Sequence, residues 1–213
     1  KILEDDYTKA MEIDPIDADA YYNRGVDKFE LKDCQGAIAD FNRALEIGPR
    51  DADIYYSLGS VKSELGDYRG AVSDFSKALE INPIYADAYA NRGIAKIKLN
   101  DTEGAIEDYT KALEISPNDA DILYASGNAK ISLKDYTGAI ADYDKAIEIN
   151  PQLASAYTNR GAAKKDLGNA KGAIIVRNEF DGYSHNQHDL LLYYRIMIPI
   201  LVDGIFDLEQ SAP

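Results

Sequence analysis

The chain has no tryptophan, one cysteine (Cys34) and only two histidines, His185 and His188. A single cysteine cannot form an internal disulfide, so the redox compartment stays open. Cys34 has no histidine in its neighbourhood and does not read as an activated nucleophile. The His-x2-His pair lacks nearby cysteines and has only Asp189 as a carboxylate neighbour, which argues against a metal site. Basic residues are also scarce: 23 Lys and Arg face 37 Asp and Glu, a net charge of −14. An acidic body repels nucleic acid and anionic membrane surfaces, which speaks against both as partners. No apolar run reaches the roughly 18 residues of a membrane span. No signal peptide is evident, which favours a soluble, cytoplasmic protein. The chain begins at Lys1 inside a repeat, as if an upstream segment had been removed. No Gly-Lys-Ser/Thr follows a strand, so the glycines do not read as a phosphate loop. No catalytic constellation and no cofactor are implied, and the chain reads as a non-enzyme.

What the chain does have is a period. Pro15, Pro49, Pro83, Pro117 and Pro151 stand 34 residues apart, as do Gly25, Gly59, Gly93, Gly127 and Gly161. Ala37, Ala71, Ala105, Ala139 and Ala173 share that period at a third phase. Such self-similarity marks a solenoid, whose units bury their apolar faces only by stacking. The expected product is a curved binding surface rather than a closed pocket.

Within the unit 18–51, Ala20, Tyr21, Gly25 and Phe29 begin one apolar face. Ala37, Ile38, Phe41, Ala44, Leu45 and Ile47 form another. Offsets of three and four are helical, so each unit should be two amphipathic helices. First helices are expected near 19–31, 53–65, 87–99, 121–133 and 155–167. Second helices are expected near 2–13, 35–47, 69–81, 103–115, 137–149 and 171–180. Asp33, Asp67, Asp101 and Asp135 are placed to cap second helices. Those helices should stop at Gly48-Pro49, Asn82-Pro83, Ser116-Pro117 and Asn150-Pro151. Glycine in mid-helix costs about 1 kcal/mol against alanine. Five at one phase therefore imply a close helix crossing.

Tyr21-x2-Arg24-Gly25-x2-Lys28, then Ala37-x3-Phe41, then Pro49, resembles the tetratricopeptide repeat. The resemblance covers about 175 of the 213 residues. It implies an all-α, right-handed superhelical solenoid of helix-turn-helix repeats over 1–181. The division is a half repeat at 1–17, repeats at 18–51, 52–85, 86–119 and 120–153, and a degenerate repeat at 154–181. The opening aromatic is Tyr21, Tyr55, Tyr89 or Tyr157, or else Leu123. The later aromatic is replaced by Lys28, Lys62, Lys96, Lys130 and Lys164, whose stems can cover apolar surface while their heads reach water. Units one, three and five carry Asn-Arg-Gly where two and four do not. Arg24–Asp40 and Arg92–Asp108 pairs are expected, while Arg160 meets Val176 at that offset and loses its partner.

The resemblance also implies that first helices line a concave groove. On this chain the corresponding partner-binding residues are Asp19, Tyr22, Val26, Phe29, Asp53, Tyr56, Asp87, Ile94, Ile97, Asp121, Tyr124, Asn128 and Ile131. Aspartates beside a Tyr/Ile/Phe stripe suit a basic peptide or protein segment with apolar anchors. The aspartates also suit the positive ends of their own helices. The family's two-carboxylate clamp is rejected, because no unit has its lysine. The leading function is thus a protein-interaction scaffold, and the alternative is a self-assembly module forming homo-oligomers through the array and the C-terminal tail, with residues 190–202 as the contact.

Residues 182–213 are an apolar tail unrelated to the repeat. Three readings of it compete. The stretch from Leu190 to Val202 packs on the last repeat as an irregular cap, contacts another chain or occupies a groove, or the abrupt switch from the repeat reflects a changed reading frame or a fusion.

Overall fold

The computed structural model describes residues 2–48 and 51–168. The helix expected at 171–180, both histidines and the apolar tail lie outside the described residues. Ten helices occur among them, and no strand. They are α1 (Ile2–Ile13), α2 (Ala18–Glu30), α3 (Cys34–Ile47), α4 (Ala52–Glu64), α5 (Tyr68–Ile81), α6 (Ala86–Lys98), α7 (Thr102–Ile115), α8 (Ala120–Ser132), α9 (Tyr136–Ile149) and α10 (Ala154–Asp166). Each starts within a residue of the position that the apolar period indicates.

The boundaries follow from local chemistry. Asp33 Oδ1 accepts from the Gly36 N–H at 2.9 Å, and Asp67, Asp101 and Asp135 do the same for Gly70, Gly104 and Gly138. A Cβ at Gly36 would lie 2.1 Å from the Asp33 carboxylate, so the capping side chain itself demands glycine there. The turn before each cap needs a left-handed residue: Lys32, Asn100 and Lys134 have φ of 65°, 63° and 61°, and Gly66 takes 80°. Second helices end at Gly48, Asn82, Ser116 and Asn150. First helices differ. Asp17, Asp51 and Asp119 cap α2, α4 and α8, but Tyr85 and Leu153 stand at that place before α6 and α10 and give no side-chain cap.

The helices fall into two compact units, Lys1–Pro117 and Asn118–Pro213. In the first, α2 pairs with α3, α4 with α5 and α6 with α7; in the second, α8 pairs with α9 and α10 packs on α9. Each hairpin has the same core. Ala37, Phe41 and Ala44 are fully buried, as are Ala71, Phe75 and Ala78. The mid-helix glycines make room for the ring. A Cβ on Gly25 would lie 2.6 Å from the Phe41 ring, and Gly59, Gly93 and Gly127 face Phe75, Tyr109 and Tyr143 in the same way. The close crossing expected from the sequence is therefore a ring laid on bare backbone.

Candidate functional site

Two polar systems stand out beside this core: one inside the hairpins and one on the faces of the first helices. Inside, Asp40, Asp74, Asp108 and Asp142 are buried at 3–8% exposure. A buried carboxylate needs paired partners. Arg24 holds Asp40 with two hydrogen bonds, 2.7 and 2.6 Å, and Lys28 Nζ adds a contact at 2.8 Å. Arg92 holds Asp108 at 2.9 and 2.6 Å, with Lys96 at 2.9 Å. Both expected Arg–Asp pairs are thus present. In the even repeats Lys62 meets Asp74, and Lys130 and Ser126 meet Asp142. These lysines correct the sequence reading. Their heads turn inward to a carboxylate twelve residues on, because an unpaired buried aspartate would cost more than the lost hydration of an ammonium. Burial works to raise the pKa of Asp40, but the hydrogen bonds and charge of Arg24 and Lys28 outweigh it and hold the carboxyl below its ordinary value.

Arg160 is a second correction. It reaches Asp144 on α9, sixteen residues before it rather than after. Arg92 likewise donates to Ser76 Oγ at 3.0 Å, and Arg24 to Thr8 Oγ1 at 3.4 Å. The odd-repeat arginine therefore also ties its hairpin to the preceding second helix. Each also lies over the tyrosine three residues before it: Arg24 on Tyr21, Arg92 on Tyr89 and Arg160 on Tyr157, at 5.7, 5.4 and 5.3 Å from the ring centroid.

On the face of the Lys1–Pro117 unit, Asp19, Asp53 and Asp87 are exposed. Tyr22 and Tyr56 are half-buried beside them, with ring centroids 5.8 Å from Phe41 and Phe75. Tyr56 also stacks on Tyr85 at 4.9 Å. Burial, the adjoining Asp53 carboxylate and Tyr56 push the Tyr85 phenol far up. Burial and the Asp87 charge raise Tyr56 as well. Both rings therefore stay neutral. Val26, Phe29 and Ile97 are half-buried, and Ile94 is exposed at 43%. Phe29 and Ile94 come together across an open cleft of about 330 Å³. Ser60, Ser63, Glu64, Tyr68, Phe75, Asn91 and Lys98 complete its walls.

In the Asn118–Pro213 unit, Asp121 is exposed and Tyr124 is half-buried, 5.9 Å from Tyr143. Ile131 packs on the cluster of Ala139, Tyr143 and Ala156. Asn128 Oδ1 accepts from Tyr143 Oη on α9 and from Asn159 Nδ2 on α10, both at 2.8 Å, so that oxygen is already engaged within the unit.

Sequence reasoning missed the joints between repeats. Asn91 Nδ2 donates to Tyr56 Oη at 2.8 Å, and Asn159 Nδ2 to Tyr124 Oη at 3.1 Å. The uncapped helix starts belong to the same joints, since Tyr85 stacks on Tyr56 and Leu153 packs beside Tyr143. The available signal was the alternation itself: Asn91 and Asn159 each follow an even-repeat tyrosine by 35 residues. Among the described residues no three His, Cys, Asp or Glu side chains cluster as metal ligands, and no helix is long and apolar enough to cross a membrane.

Paired helices at a fixed period, packed hairpin against helix within each unit, define an all-α repeat solenoid. The chain belongs to the tetratricopeptide repeat family. Residues 52–85 and 86–119 match the model of the tetratricopeptide repeat, and 27–66 and 127–168 match a second model described as TPR repeat. Among solved structures, YrrB, described as a TPR protein with an unusual peptide-binding site, has a TM-score of 0.76 at 24% identity, covering 89% of this chain and 97% of its own. MamA aligns with a TM-score of 0.73 at 24% identity, over 76% of this chain and 89% of its own. PilF of Pseudomonas aeruginosa aligns at 0.70 and 21% identity, over 88% and 86%. These are likenesses of fold. A search of the curated proteins finds no match.

Proposed function

We propose that this protein is an interaction scaffold that holds a basic, partly apolar segment of a partner protein against the first helices of its repeats. The observation that carries this reading is the row of exposed carboxylates at one position of successive first helices. Asp19, Asp53 and Asp87 stand beside half-buried tyrosines, and Asp121 repeats the pattern next to Tyr124. The buried aspartates have cationic partners close by, whereas these face solvent, where an incoming cation can reach them. The tyrosines offer ring surface at little entropic cost. A net charge of −14 adds long-range attraction for a basic partner. The peptide-binding site named for YrrB gives a precedent for this use of the fold.

The test is capture by the purified chain from a peptide library, followed by titration of the enriched sequences. Enriched peptides should be basic. Their affinity should fall with salt, as the screening length shortens to about 8 Å near physiological ionic strength. Asp19→Asn, Asp53→Asn, Asp87→Asn and Asp121→Asn together should weaken binding with the helix content unchanged. Enrichment of acidic peptides, or indifference to both the Asp changes and Tyr56→Ala, would overturn the reading. If the chain associates only with itself, the self-assembly alternative takes its place.

A further inference from the structure

The cleft between α2, α4 and α6 lies wholly within the Lys1–Pro117 unit, toward the ends of those helices away from the aspartates. Phe75 closes its floor, and Phe29, Tyr68 and Ile94 give it apolar walls. Two of its polar groups are already engaged. The Ser60 hydroxyl donates to the Tyr56 carbonyl at 3.0 Å, and the Asn91 amide donates to Tyr56 Oη at 2.8 Å. An apolar entering group would leave both of these bonds intact. At about 330 Å³ the space is at the small end of ligand clefts. The rim does not select for charge. Glu64 is bridged by Lys32 at 2.9 Å, and Lys98 stands opposite.

Charge selection is left to the other end of the same helices. Ser63 lies ten residues along α4 from Asp53, and Ile94 lies seven along α6 from Asp87. At about 1.5 Å per residue, the cleft is roughly 10–15 Å from the carboxylates. An extended chain covers about 3.3 Å per residue, so that distance is about four residues of a bound peptide.

We infer that this cleft is an anchor pocket for one bulky apolar side chain of the partner segment, and that it sets a spacing of about four residues between that side chain and a basic residue held by Asp53 and Asp87. The inference rests on the proposed function and adds a pocket, a side-chain class and a spacing rule to it. The partner is a peptide carrying both features. A basic segment without the apolar residue leaves the pocket empty and binds through charge alone.

The probes are fluorescein-labelled, C-terminally amidated peptides. Each has an Arg-Arg pair and one Phe, separated by Gly/Ser spacers of zero to eight residues, made in both orders. Affinity for the full chain should peak where Arg and Phe are about four residues apart in one of the two orders. Replacing that Phe by Ser should cost about tenfold. Ser63→Trp, which fills the cleft, and Ile94→Ser, which removes a wall, should each reduce the best peptide to the level of its Phe→Ser version. Asp53→Asn with Asp87→Asn should weaken every peptide. Thermal melts of both cleft variants check that the hairpins persist, and Ile94→Ser is the safer of the two because its side chain is already 43% exposed. Affinity that depends on the aspartates but not on spacing, Ser63→Trp or Ile94→Ser overturns the pocket and leaves the proposed function standing. Failure of all the peptides to bind, or indifference to the aspartates, overturns both.

Discussion

Arg92 grips Asp108 with two hydrogen bonds, 2.9 and 2.6 Å, from a guanidinium 18% exposed to a carboxylate 4% exposed. The pair replaces the leucine that the repeat family places at the arginine's position. It holds α6 to α7, and through Ser76 it also reaches α5. Asp108→Ala should therefore cost about 3 kcal/mol, near the low end for breaking a buried pair because Arg92 and Lys96 keep some contact with water. Arg92→Leu should cost less, since Lys96 still neutralises the carboxylate. Urea unfolding of both variants checks the order, and equal losses would show that Lys96 contributes nothing.

Gly93 should resist even the smallest side chain. Alanine improves helix propensity by about 1 kcal/mol, yet its Cβ would lie 2.8 Å from the Tyr109 ring. The ring is fully enclosed, so the clash should dominate and Gly93→Ala should lose about 1–3 kcal/mol net. In a Tyr109→Leu background the same change should cost much less. A stabilising Gly93→Ala, read from thermal melts, would remove the packing argument.

Both limbs of the pH–stability profile have named sources. The Asp40 carboxyl is held below its unfolded value of about 3.9. Its contribution is therefore complete above that value and fades as the pH falls through the lower native one. Asp40→Asn should flatten this acid limb. Burial and the neighbouring Asp108 push Tyr109 up to about 12. The unfolded phenol titrates near 10, so that contribution is complete below pH 10 and lost as the pH rises towards 12. Tyr109→Phe should leave less alkaline loss. Denaturant midpoints across pH for wild type and the two variants test each sign.

The asparagine–tyrosine joints should couple neighbouring repeats. Tyr56→Phe and Asn91→Ala should each cost about 1 kcal/mol, and the double variant should cost less than their sum. A strictly additive cycle would mean that the 2.8 Å contact carries no energy.

Helices, caps and stops were legible because their causes are local. The run from Ala37 to Ile47 has the helical period, Asp33 offers an acceptor three residues before Gly36, and a proline follows each second helix. The Arg24–Asp40 and Arg92–Asp108 pairs were legible for a related reason, since a repeated hairpin fixes which residue lies sixteen places on. The aspartates Asp19, Asp53, Asp87 and Asp121 are exposed and Tyr22, Tyr56 and Tyr124 half-buried, and their use as a binding face belongs to the proposal.

The lysine partners were not legible. Lys28 and its equivalents have a stem that suits a surface as well as an interior. Only the buried carboxylate of Asp40, brought opposite by the folding of α2 on α3, draws the ammonium inward.

Sequence by itself determined the helices, their period and the residues that face the core, because backbone preferences and apolar spacing act over a few positions. Tertiary structure decided which partner each polar group takes and where the cleft opens. Arg160 turns back to Asp144, Asn91 reaches Tyr56, and Phe29 and Ile94 line one cleft from helices two repeats apart. Those choices depend on distances between side chains of different helices, and such distances exist only once the hairpins have packed.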